Sequence, residues 1–204
     1  MVEANHFHTF ECLGDASRKI ANVFWTFLDC LSCKMTKISQ IYEKSIGEKY
    51  KRESRTFDIT DSHHILHIGC GAYPITALTL AKMNGSKIVG IDNNQKAIRL
   101  ANEIVRNQQL DDRVTITYGD GTTYPVNLFD TIIISGCSSP KMQILDHVIN
   151  TAKPQSKIIV RDINLNAKAV RENITAHHNI IWANTLGNYP IPWLGWQSFY
   201  LIKK

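Results

Sequence analysis

No stretch of this 204-residue chain holds the roughly 18 consecutive apolar residues that a bilayer-crossing helix needs, so no membrane partner is predicted. The opening residues, MVEANHFHTFE, have neither a basic head nor an apolar run and do not read as a secretory signal. Cysteine is sparse. Five scattered cysteines cannot all pair with one another and exclude a disulfide scaffold. A cytoplasmic, reducing setting is the expectation that follows. Charge of one sign is not concentrated either. Nine basic residues face eight acidic ones up to residue 60, and 14 face 10 beyond it, giving the net charge of +5. That mild excess falls short of a nucleic-acid footprint. What the chain does have is 44% hydrophobic residues, enough for one sizeable core, which excludes a disordered chain.

Two textures divide the chain near residue 60. Residues 1–60 read as a helical extension. Between Asp15 and Cys33 the apolar residues Ile20, Val23, Phe24, Phe27, Leu28 and Leu31 recur at helical spacing, which predicts one inward-facing stripe. Asp15 is placed to cap that helix. A weaker pattern over 37–50 turns Ile38, Ile41, Tyr42 and Ile46 inward, and 49–55 reads as a polar connection. Residues 61–204 alternate short apolar strands with helices. Strands are predicted at 64–68, 87–91, 114–118, 131–134, 157–160, 180–183 and 198–202, with helices over 74–83, 95–107, 141–151 and 167–173. Such alternation gives a parallel sheet covered on both faces. The last two strands, joined by a 14-residue loop, form an antiparallel hairpin at the edge.

The chemistry gathers at the first strand-to-helix turn, Gly69-Cys70-Gly71-Ala72-Tyr73-Pro74. Two glycines allow a tight turn and a close approach of backbone to ligand. Asp92, 23 residues after Gly69, ends the second strand, where a carboxylate can take both hydroxyls of a ribose. A dinucleotide would place its diphosphate on the helix N-terminus and favour a third glycine. Pro74 stands there instead and has no N–H for a phosphate. The turn therefore suits a ligand with a ribose and no phosphate, and S-adenosylmethionine is such a ligand.

The later elements agree: Tyr118-Gly119-Asp120-Gly121 after the third strand, Phe129-Asp130 leading into Thr131–Ser135, and Lys153-Pro154 before the fifth strand. In order and spacing these motifs, over residues 61–204, resemble the class I S-adenosylmethionine-dependent methyltransferases. The resemblance implies a Rossmann-like, doubly wound, seven-stranded, mostly parallel sheet with an antiparallel last strand, plus the N-terminal helical extension. It also implies that Gly69 and Gly71 lie under the methionyl part of the cofactor, that Asp92 holds the ribose and that Asp120 meets the adenine. His67, Cys70, Tyr73, Asn93, Gly121 and Ser135 complete the expected cofactor-binding set. His67 stands where the family usually carries an acid that helps hold the cofactor's amino group. The Asn/Asp-Pro-Pro-Tyr/Phe signature of base-nitrogen methylation is absent, which lowers the odds of a nucleic-acid substrate further.

A second resemblance is local. Gly69-x-Gly71-x-x-Pro74-Ile75-Thr76, Arg161 after the fifth strand and the helical N-terminus are similar to nicotianamine synthase, which uses the same cofactor to transfer an aminobutyrate group. Three readings thus stand open: methyl transfer to a small-molecule acceptor, aminobutyrate transfer, and cofactor binding without turnover. Tyr73, Ser135, Cys137 and His147 are the candidates for a general base. Cys30-Leu31-Ser32-Cys33, with Cys12, His6 and His8, is either a partial metal site or helix packing. The N-terminal helices form either a lid over the site or plain packing, and the aromatic loop 184–196 is a second candidate wall of an acceptor pocket. Nothing in the pattern fixes the acceptor atom or an oligomeric state.

Overall fold

A computed structural model describes residues 23–59, 64–191 and 194–204. Seven strands form one sheet: β1 (His64–Ile68), β2 (Lys87–Asp92), β3 (Val114–Tyr118), β4 (Thr131–Ile134), β5 (Lys157–Ile163), β6 (Ile180–Ile191) and β7 (Leu194–Lys203). Their order across the sheet is β3-β2-β1-β4-β5-β7-β6. The first five are parallel, and β7 is inserted antiparallel between β5 and β6. This is the doubly wound sheet that the sequence pattern predicts. Strand order reverses at β1, which has β2 on one side and β4 on the other, and ligands of open α/β sheets bind beyond the carboxyl ends at such a point.

The helices after residue 60 are α4 (Ile75–Asn84), α5 (Gln95–Asn107), α6 (Lys141–Thr151) and α7 (Ala167–Ala176). Asn94 caps α5 by accepting from the N–H groups of Lys96 and Ala97, which relieves two of the orphan first-turn donors. The sheet separates two apolar cores. Ile65, Ile133 and Ile159 face a layer that includes Tyr42, Ile46, Phe57 and Ile59 of the N-terminal region. Leu66, Ile132 and Ile158 face α6 and α7 on the other side.

The N-terminal region departs from its expected pattern. Residues 23–34 form a helix, α1, but Val23 is 72% exposed and Phe27 62%. The inward side instead carries Trp25, Asp29 and the buried Ser32. Val23, Phe24 and Phe27 of the apolar stripe thus lie on the outer side while Leu28 packs against the core, because Trp25 packs against Tyr42 and Trp196 and fixes the helix rotation. Ile20, the cap at Asp15, and Cys12, His6 and His8 lie outside the described residues. Next, the single helix expected over 37–50 is broken into α2 (Thr36–Tyr42), a π-turn (Glu43–Gly47) and α3 (Glu48–Thr56). Ile41 is exposed. The polar stretch 49–55 is helical because Glu53 and Ser54 are buried against the sheet, a tertiary contact that local polarity does not reveal.

Two further boundaries move. Strand β5 runs through Arg161 to Ile163 rather than ending at Val160, since Arg161 pairs in register with Ser198 of β7. The expected 14-residue loop is mostly strand. β6 and β7 form a long hairpin in which Leu186 faces Ser198 and Asn188 faces Trp196, and a register irregularity between Trp182 and Asn184 absorbs the mismatch that blurred the alternation. No described helix is long and apolar enough to cross a membrane.

Candidate functional site

A cavity of about 350 Å³ opens at the carboxyl ends of the central strands. All ten residues singled out from the sequence line it: His67 from β1, Gly69, Cys70, Gly71 and Tyr73 from the first turn, Asp92 and Asn93 at the end of β2, Asp120 and Gly121 after β3, and Ser135 after β4. Their convergence follows from the parallel topology, which delivers every strand end to the same edge.

The turn is built by backbone geometry. Gly69 and Gly71 have φ of +75° and +71°, a left-handed conformation that costs other residues roughly 1–2 kcal/mol. A Cβ on Gly69 would also stand 2.4 Å from Ser138 Oγ. Gly69→Ala is therefore expected to lower the melting temperature by several degrees, at about 2–4 °C per kcal/mol for a domain of this size, which differential scanning calorimetry reads directly. Gly121 has a different reason: a Cβ there would meet Ile68 Cγ2 at 2.6 Å. The N–H groups of Gly69 and Cys70 bond the Ile91 carbonyl at 2.9 and 3.0 Å, which ties the turn to β2.

The carboxylates are oriented by the backbone. Asp92 Oδ2 accepts from Gly71 N–H at 3.0 Å and Oδ1 from Asn94 N–H at 2.9 Å, leaving lone pairs on both oxygens for a ligand. Asp120 Oδ1 accepts from the Thr122 N–H and hydroxyl at 2.8 and 2.7 Å, and the backbone bond chiefly holds its carboxyl below the ordinary carboxylate range. These acceptors suit ribose hydroxyls and an exocyclic adenine amine.

The N-terminal helices supply what sequence reasoning missed. Trp25, Asp29, Tyr42 and Tyr50 line the same cavity. Trp25 stacks on Tyr42 with centroids 6.3 Å apart, and Trp196 meets Trp25 and Tyr50 edge-on at 6.4 and 5.8 Å. Trp196 and Gly195 are thus the part of the predicted aromatic wall that reaches the cavity. Tyr189 is exposed and does not line it, and Trp193 lies outside the described residues. Only an aromatic excess in the segment hinted at this arrangement.

Beneath the aromatics lies a buried ion pair. Arg161 Nη2 donates to Glu53 Oε1 at 2.6 Å, its Nε to both Glu53 oxygens, and its Nη1 to Thr76 Oγ1 at 2.8 Å. The guanidinium carbon stands 3.8 Å from the centre of the Tyr50 ring, and the Ser198 hydroxyl donates to Glu53. The sequence flagged Arg161 only through the nicotianamine-synthase resemblance. Glu53 carried no signal at all.

The candidate bases fare poorly. The Tyr73 hydroxyl donates to Glu43 Oε1 at 2.5 Å, and Glu43 also accepts from Lys82 and Gln108, so this group ties helices together. His147 bonds the Tyr124 carbonyl and does not line the cavity. Burial pushes the Cys137 thiol up to about 12, so it stays un-ionised at neutral pH. Cys33 of the C-x-x-C pair donates to the Ala72 carbonyl at 3.5 Å, a packing role. His177 pairs with Asp146 at 3.0 Å.

His67 and Asp29 also titrate abnormally. Burial first, and Arg161 second, push His67 down to about 3. Both of its ring nitrogens are buried without a protein partner, each at a cost of about 1–3 kcal/mol. Burial pushes Asp29 up to about 7. The two act on stability in opposite senses. A depressed base loses stability as pH falls from its unfolded value near 6.5 towards 3. A raised acid loses stability as pH rises from 3.8 towards 7. Asp29→Asn is therefore expected to stabilise the protein at pH 8 and to steepen its loss of stability on acidification, as read by urea unfolding across pH 4–8. A flat difference between variant and parent over that range would contradict the raised value assigned to Asp29.

The comparisons with known proteins agree with this geometry. The model of a methyltransferase domain family matches residues 59–199. Among curated relatives, a L-histidine 2-aminobutanoyltransferase from Yersinia pestis is 25% identical over 134 residues, covering 65% of this chain and 49% of the relative. Methyltransferase GfsG from Streptomyces halstedii is 25% identical over 131 residues, covering 62% and 45%. The chain thus spans about half the length of these relatives. Among solved structures, a mutant of MtNAS, a nicotianamine synthase, in complex with S-adenosylmethionine superposes with a TM-score of 0.74 at 14% identity, covering 96% of this chain and 78% of that one. A sarcosine dimethylglycine methyltransferase from Galdieria sulphuraria gives 0.62 at 14%, covering 82% and 88%. The cofactor of the family is S-adenosylmethionine, and the glycine turn with its paired carboxylates fits that molecule. By its family match, its sheet order and its strand-end cavity, the chain belongs to the methyltransferase domain family of S-adenosylmethionine-dependent transferases.

Proposed function

We propose that this chain transfers the methyl group of S-adenosylmethionine to a small-molecule acceptor, in the cytoplasm, with residues 1–60 acting as a wall over the residues 61–204 that bind the cofactor. The observation that carries this reading is the size and the aromatic lining of the cavity. Its volume of about 350 Å³ lies at the small end of the small-ligand range of roughly 300–1,000 Å³, and Trp25, Tyr42, Tyr50 and Trp196 roof it. A site of this size, walled by aromatic side chains, suits a small acceptor packed against the cofactor.

The cofactor supplies an activated sulfonium carbon. The protein's own task is alignment and exclusion of water, which carry most of the acceleration in such a transfer. Asp92 and Asp120 would fix the adenosine, the glycine turn would let it approach, and the aromatic roof would keep water from the reacting centre. Incubation with labelled S-adenosylmethionine and a cell extract split by ultrafiltration tests the acceptor class. The label is expected in compounds below a few kilodaltons, and transfer only into protein or nucleic acid would refute the proposal.

A second reading, aminobutyrate transfer, is favoured by one hydrogen bond. Thr76 and Arg161, the separated parts of the nicotianamine-synthase resemblance, meet at 2.8 Å on the cavity floor. The MtNAS fold also covers 96% of this chain, against 82% for the Galdieria sulphuraria methyltransferase. Methylthioadenosine as the released nucleoside would establish this reading; S-adenosylhomocysteine would establish methyl transfer.

A further inference from the structure

Two polar groups inside the cavity have no role in the account so far. His67 is 3% exposed and lines the cavity, with neither ring nitrogen bonded to protein. A buried imidazole left in this way marks a place where a ligand atom belongs. Its surroundings set the sign of that atom. Glu53 and Thr76 take three of the five N–H groups of Arg161, and the other two have no acceptor among the described residues. The guanidinium is near enough to act, with burial, against protonation of His67. A neutral imidazole N–H beside an arginine is a donor site for a carboxylate, and the arginine disfavours an ammonium there.

Asp29 is the opposite pole. Its carboxylate accepts from the Tyr42 hydroxyl at 3.2 Å, and the backbone N–H groups of Tyr73 and Ala72 act on it against the effect of burial. Its Oδ2 lies 2.5 Å from where a Cβ of Gly71 would stand, which puts it directly over the glycine turn. Among the described residues no lysine or arginine pairs with it. Burial holds it close to neutral, and a cation arriving beside it would restore the charge.

The geometry points to a directional zwitterion subsite in which the methionyl carboxylate of the cofactor lies on His67 and Arg161 and its ammonium on Asp29. This rests on the reading that the cavity holds S-adenosylmethionine. In the related methyltransferases the position of His67 carries an acid for the ammonium. Here the acid comes from helix α1 instead, and the tail is turned end for end. One consequence is that cofactor binding ties α1 to the glycine turn. An α-amino acid acceptor carries the same two charges, so the test varies only the cofactor's own groups.

Titration calorimetry of the full chain with S-adenosylhomocysteine, its decarboxylated analogue and its deaminated analogue separates the ends. His67→Leu is expected to weaken the two carboxylate-bearing ligands about tenfold and to leave the decarboxylated one unchanged. Asp29→Asn should weaken the two ammonium-bearing ligands by a similar factor and spare the deaminated one. The reverse pattern, or equal losses for all three ligands, overturns the orientation. Should His67→Leu fail to fold, the partly exposed, isosteric Asp29→Asn decides alone. Wild-type protein that binds none of the three ligands would instead refute the cofactor reading, and the orientation with it.

Discussion

Asp92→Ala is expected to weaken S-adenosylmethionine binding at least about a hundredfold. Two hydrogen bonds from ribose hydroxyls to an ionised carboxylate contribute roughly 1.5–3 kcal/mol each, and about 1.4 kcal/mol is tenfold in affinity. The same side chain also holds the site together, since Gly71 and Asn94 both donate to it. Its loss frees the glycine turn as well as the ribose contact. Asp92→Asn separates the two effects: it can keep one acceptor for the turn while losing the charge, so its loss should be intermediate. Calorimetric titration of both variants, with melting temperature as the folding control, reads the series. Affinity unchanged in Asp92→Ala would show that the ribose sits elsewhere.

Glu53→Ala is expected to lower the melting temperature by about 10 °C or more. Removing one partner of a buried ion pair strands the other, at a cost of about 3–5 kcal/mol, and each kcal/mol moves the midpoint about 2–4 °C in a domain of this size. Arg161 is 2% exposed and Glu53 1%, so neither charge has water to fall back on. The pair joins α3 to β5 across 108 positions of sequence, and the Ser198 hydroxyl and Tyr50 ring complete its surroundings. Arg161→Met together with Glu53→Leu removes both charges and should recover much of the loss. A double variant no better than Glu53→Ala would mean the pair itself, rather than the stranded charge, sets the stability. Deleting residues 1–55 strands the same arginine and strips Tyr73 of Tyr42 and Glu43, so the deletion is expected to unfold the remainder.

The sheet was legible in the sequence because parallel strands buried on both faces read as short apolar runs, as in Thr131–Ile134 and Lys157–Val160. The glycine turn and Asp92 were legible for a different reason: backbone conformation and chain spacing there leave few alternative residues. Tertiary partners decide the remainder. Glu53 looks like one more polar residue in Lys49–Arg55, and only Arg161, brought close by folding, explains its burial. Asp29 sits between apolar neighbours on α1, and the periodicity that points Phe27 inward fails because the helix is rotated by Trp25 against Trp196. The hairpin of β6 and β7 was hidden by a register irregularity and by Gly187, Pro190 and Gly195, which resemble loop punctuation. Cavity walls drawn from distant segments leave no local pattern.

A crystal structure of the full chain with S-adenosylhomocysteine tests the central claim most directly. The account predicts ribose hydroxyls on Asp92, adenine beside Asp120 and the nucleoside enclosed beneath Trp25 and Trp196. A nucleoside bound outside this cavity, or with its ribose away from Asp92, would contradict it.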